Sequence, residues 1–141
     1  MALLALFAVG LIAVARPSPT QLTHGEMKAE DFIEYITVAN PYTEWETWPG
    51  TAKLRKGRAP HGHGVLITTY VNHLAFRSIA EKKGMAIGSI IVVENRTDDK
   101  RLVALTTMYK VGGYNPGGGD WYWVEATPGG RVMDTEKCNR V

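Results

Sequence analysis

The stretch that most limits what this chain can fold into is 102–127, LVALTTMYKVGGYNPGGGDWYWVEAT. Residues 102–111 alternate, with Leu102, Ala104, Thr106 and Met108 on one side and Val103, Leu105, Thr107 and Tyr109 on the other. Trp121, Tyr122, Trp123 and Val124 follow, all strong strand formers. Between the two runs, Gly112, Gly113, Asn115, Pro116 and the glycines 117–119 offer positive-φ positions and a fixed turn. The pattern predicts a β-hairpin with a long glycine loop, carrying two of the four tryptophans.

The rest of the chain reads as elements set around that hairpin. Residues 29–38 place Phe32, Ile33 and Ile36 at helical spacing, with Glu30, Asp31 and Glu34 between them near the positive end of the helix dipole. Asn40 and Pro41 stop this helix. Residues 42–60 show no period, and Trp45 and Trp48 read as packing aromatics over one end of the core. An apolar, Thr-rich strand is expected over 65–71. Asn72 then caps a helix through Lys83 that buries Ala75, Phe76, Ile79 and Ala80, with Gly84 at C′. Residues 87–95 (IGSIIVVEN) form the next strand, 96–100 a polar turn, 128–130 another turn, and 131–141 a short tail. Sequential strands joined by tight turns predict an α+β fold, a single domain of mainly antiparallel sheet with two or three short helices.

At 141 residues the chain is long enough for one domain with a buried core. Its formal charge is only +2, with basic and acidic residues interspersed, so a nucleic-acid partner is not expected. Residues 1–15, MALLALFAVGLIAVA, are short for a membrane span, and Ala13-Val14-Ala15 fits a small-x-small cleavage rule. They read as a secretory signal, 16–28 as a flexible lead-in, and the domain as periplasmic or secreted. No Lys or Arg precedes the apolar run, which suggests a misplaced start codon or a clipped N-terminus.

Few residues suggest chemistry by themselves. His61 and His63 can share a side of a strand, but no third ligand accompanies them at a telling spacing, so no metal site is expected. Asn95-Arg96-Thr97 matches a glycosylation sequon, a tripeptide common by chance. No nucleophile elbow, phosphate loop or H-E-x-x-H motif is present. The single Cys138 cannot form an internal disulfide.

Several ordered strings go further. Asn40-Pro41-Tyr42, Trp45, Trp48-Pro49-Gly50, Pro60-His61-Gly62 and Thr69-Tyr70-Val71-Asn72 are followed by Lys83-Gly84-Met85 and the run 88–95. Then come Met108-Tyr109-Lys110-Val111, Gly113-Tyr114-Asn115-Pro116 and Gly119-Asp120-Trp121-Tyr122-Trp123. Together they resemble the cytochrome P-460 family, in order over 29–132. The resemblance implies a periplasmic, mostly antiparallel β domain, often dimeric, holding one haem c. The haem is attached near the C-terminus through C-x-x-C-H, whose histidine is the proximal iron ligand. Members with a further lysine-to-porphyrin crosslink oxidise hydroxylamine, whereas relatives without it bind nitric oxide and similar gases. The expected partners are a small-molecule ligand, an electron-transfer protein if haem is bound, and a second copy of the chain.

The chain departs from the family pattern twice. The crosslinking lysine lies in a V-K-E triplet, and here the triplet is Val92-Val93-Glu94, so Val93 takes its place. Cys138 stands where the first haem cysteine belongs, within the tail 133–141, and neither a second cysteine nor a histidine follows. Three readings stay open: a truncated or frameshifted cytochrome, a haem-free descendant that binds something else or nothing, and haem held through Cys138 or a histidine such as His61 or His63. Alternation places Ile91 and Asn95 on the side of Val93, with Ile90, Val92 and Glu94 opposite. The expected cofactor contacts are therefore Ile91, Val93, Asn95 and Cys138.

Overall fold

The computed structural model describes residues 28–57 and 65–135. One antiparallel sheet organises them. Its strands are β1 (Glu46–Thr47), β2 (Arg55–Lys56), β3 (Leu66–Val71), β4 (Ile90–Arg96), β5 (Leu102–Lys110), β6 (Trp121–Ala126) and β7 (Val132–Asp134). They lie in the order β1-β3-β4-β5-β6-β7, and β2 pairs with the start of β3 while β1 pairs with its end. The fold is α+β with mainly antiparallel sheet, as the hairpin and tight turns predict.

Helix α1 (Ala29–Glu34) runs on as a π-helix over Tyr35–Ala39 and covers one face of the sheet. Phe32, Ile33 and Ile36 are fully buried there against Ile90, Val92, Leu105, Tyr109, Tyr122 and Val124. Phe32 stacks on Tyr109 with ring centroids 5.5 Å apart and meets Tyr122 edge-on at 6.1 Å. Each such side chain contributes about 1.5–3 kcal/mol of burial, which makes this the main core. The opposite face is covered only in part, by helix α2 (His73–Ala80), whose Ala75, Phe76 and Ile79 pack toward Val71 and Ile91. We refer to these as the helix face and the open face.

Several boundaries differ from the sequence expectation. β4 starts at Ile90 because Gly88, at φ +91°, turns the chain and leaves Ile87 57% exposed. α2 ends at Ala80 instead of Lys83. The chain reverses at Lys82, whose φ is +53°, and the Lys83 N–H bonds back to the Ser78 carbonyl, so Gly84 is not the C′ residue. Within α2, Ala80 is exposed and Ser78 is buried. Asn95 pairs with Ala104 but Arg96 with Leu102, a bulge at Val103 that moves Leu102 from the Ala104 side to the helix-face core. The two-residue strands β1 and β2 lie in a segment without period, and β7 falls in the expected tail.

Candidate functional site

Antiparallel register fixes what the open face presents. Ile91 pairs with Val71 and Met108, Val93 with Thr69 and Thr106, and Asn95 with Ile67 and Ala104. On the next strand Met108 pairs with Trp123 and Thr106 with Glu125. Paired residues share a face, so two rows cross the sheet: Val71–Ile91–Met108–Trp123 and Thr69–Val93–Thr106–Glu125. The sequence therefore places Ile91, Val93 and Asn95 together correctly, with Ile90, Val92 and Glu94 behind them. Cys138, His61 and His63, like the segment 1–15 read above as a signal, lie outside the described residues.

The open face has an apolar end and a polar end. At the apolar end Trp48, Phe76, Ile79, Met85, Val93, Met108 and Trp121 are partly buried around Val71, Ala75 and Ile91. The Lys110 ammonium sits 5.1 Å over the Trp121 ring and donates to the Gly119 carbonyl, which fixes that ring at the rim. Toward the polar end the Asn95 amide donates to Thr106 Oγ1 at 2.9 Å, and Arg55 reaches the Thr69 hydroxyl at 3.5 Å. Asn95 is buried in the strand with its amide engaged, so the sequon it heads does not present an accessible acceptor. Among the described residues Trp123 Nε1 is buried without a hydrogen-bond partner, and a buried donor left unpaired costs about 1–3 kcal/mol.

Sequence reasoning missed the polar cluster on the other face. Glu94 is nearly fully buried; Tyr42 donates to its Oε1 at 3.0 Å and Arg96 Nε to its Oε2 at 3.0 Å. Burial, then the charge and hydrogen bond of Glu94, push the Tyr42 hydroxyl well above the usual phenol range. The hydrogen bond to Glu94 likewise raises Arg96. Tyr42 also meets Tyr70 edge-on at 5.3 Å, and the Lys53 ammonium lies 5.3 Å over the Tyr70 ring. Alternation alone places Glu94 on the core side, and the long link to Tyr42 carries no sequence signal. Each oxygen of the carboxylate has a partner, so the cluster ties the segment around Tyr42 to β4.

A c-type haem needs two thiols and an axial ligand from the protein. Two thioether links require two thiols, and the sequence holds one cysteine. Among the described residues the only histidine is His73, exposed at the first turn of α2, and no three His, Cys, Asp or Glu side chains cluster closely enough to hold a metal. Covalent attachment of haem c does not fit these residues. Among the described residues no helix is long and apolar enough to cross a membrane. A scan of protein-family models matched none of them to this chain, and a search of curated proteins likewise found no match.

Proposed function

We propose that the chain is an exported domain of the cytochrome P-460 type, whose open sheet face receives a small, largely apolar ligand. One observation carries this reading: Val93 and Met108 are partly exposed apolar side chains beside buried Ile91, with Trp48 and Trp121 packed around them and Trp123 paired to Met108 on the same face. By resemblance the ligand is haem and the substrates are small nitrogen species such as hydroxylamine or nitric oxide. Val93 has no amine to form the family's crosslink, so gas binding suits this chain better than hydroxylamine oxidation.

The second reading is a haem-free binding or structural domain outside the cytoplasm. The single cysteine favours it. The test is a visible absorption spectrum of the protein exported alongside haem-maturation machinery. A Soret band that survives denaturing electrophoresis supports covalent haem, and one lost on denaturation supports haem held without thioethers. The absence of any Soret band overturns the haem reading and leaves the haem-free domain.

A further inference from the structure

Helix α2 and the turn after it carry a local cluster of cations: Arg77, Lys82 and Lys83 are exposed beside Glu81, which is held by Arg77 at 3.1 Å and Lys83 at 2.9 Å. Beside these cations stand two exposed aliphatic side chains, Leu74 at 41% and Ile87 at 57%.

The local backbone brings these groups into one patch. Ser78 donates to the Leu74 carbonyl at 2.8 Å and accepts from the Ala86 N–H at 3.2 Å, and the Lys83 N–H reaches the Ser78 carbonyl at 3.0 Å. The turn 81–88 is thereby folded onto the side of α2 that bears Leu74. Glycines let the side chains lie close: a Cβ on Gly88 would meet Leu74 Cδ1 at 3.0 Å, and one on Gly112 would meet Ile87 Cδ1 at 3.6 Å.

We propose that this patch docks the domain on an anionic lipid surface, with Leu74 and Ile87 entering the headgroup boundary and Arg77, Lys82 and Lys83 meeting lipid phosphates. Protein interfaces favour aromatic residues and arginine at their centre and are depleted in lysine. Two aliphatics ringed mainly by lysines, with no aromatic among them, match a bilayer surface better. The inference is independent of what the open face binds.

The test is flotation of the purified full chain with phosphatidylglycerol-containing vesicles and with pure phosphatidylcholine vesicles. Binding to the anionic vesicles is expected to exceed binding to the neutral ones and to fall with added salt. The double variant Lys82→Glu/Lys83→Glu should lose at least about tenfold in partitioning, and Leu74→Ser/Ile87→Ser should also weaken it. Lys100→Glu/Arg101→Glu, at the β4–β5 turn on the other end of the sheet, should leave it unchanged, with circular dichroism confirming that each variant is folded. Equal binding to both vesicle types, or equal loss from the two charge reversals, overturns the proposal.

Discussion

The Glu94 carboxylate accepts the Tyr42 hydroxyl at 3.0 Å across 52 residues of sequence, joining the segment after the π-helix to the middle of the sheet. Tyr42→Phe removes one neutral donor to a charged acceptor and is expected to cost about 1–2 kcal/mol in urea unfolding. Glu94→Leu strips the partner from both Tyr42 and Arg96 and should cost about 2–4 kcal/mol, more than the tyrosine change. Equal losses would mean that the Arg96 pair adds nothing.

The same bond predicts an alkaline limit. Tyr42 ionises less readily folded than unfolded, so its contribution is complete below the unfolded phenol value of 10.0 and is lost as pH rises beyond it. Burial raises Tyr109, Tyr114 and Tyr122 in the same direction. Stability should fall above about pH 10, with a shallower decline in Tyr42→Phe. Parallel pH profiles for the two proteins would remove Tyr42 from this account.

Asn72 joins α2 to β4. Its Oδ1 accepts the N–H groups of Ala75 at 3.0 Å and Ile90 at 3.1 Å, while Nδ2 donates to the Gly88 carbonyl at 2.9 Å. Asn72→Ala loses a cap and leaves the Ile90 N–H unpaired, an expected cost of about 2–4 kcal/mol by thermal or urea unfolding. Asn72→Asp keeps both acceptor contacts and should recover part of that loss. No recovery would assign the effect to the Gly88 contact.

Adjacent valines on β4 should behave differently. Val92 is fully buried beneath α1, so Val92→Lys is expected to unfold the domain or cost upward of about 4 kcal/mol. Val93 is only half-buried on the open face, where a lysine can extend its ammonium to water, and Val93→Lys should cost about 1 kcal/mol or less. The comparison is read by circular dichroism melts; a Val93→Lys protein as damaged as Val92→Lys would mean that the open face is closed.

What the sequence disclosed follows from which signals are local. Two-residue alternation in 90–95 and 104–109 assigned Ile91 and Val93 to one face and Val92 and Glu94 to the other without any tertiary knowledge. The same alternation failed at Leu102, because the bulge at Val103 depends on how β5 meets β4. Asn72 was legible as a cap, yet its second acceptor contact, to Ile90, joins residues 18 apart and has no local sign. The short strands β1 and β2 exist because β3 offers them an edge, and a two-residue strand has no period to detect. On the site itself, alternation could place Ile91, Val93 and Asn95 together but could not tell that α2 covers only one end of their face.

The most direct measurement of the central claim, that the open face is the ligand side, is a titration of the purified protein with haemin. It is followed by Soret absorbance and by emission from tryptophans, three of which line that face. Saturable binding with quenching is expected, weakened at least about tenfold by Val93→Arg and unaffected by Lys100→Glu. A wild-type chain that shows no saturable band, or a Val93→Arg variant that binds as tightly as wild type, would contradict it.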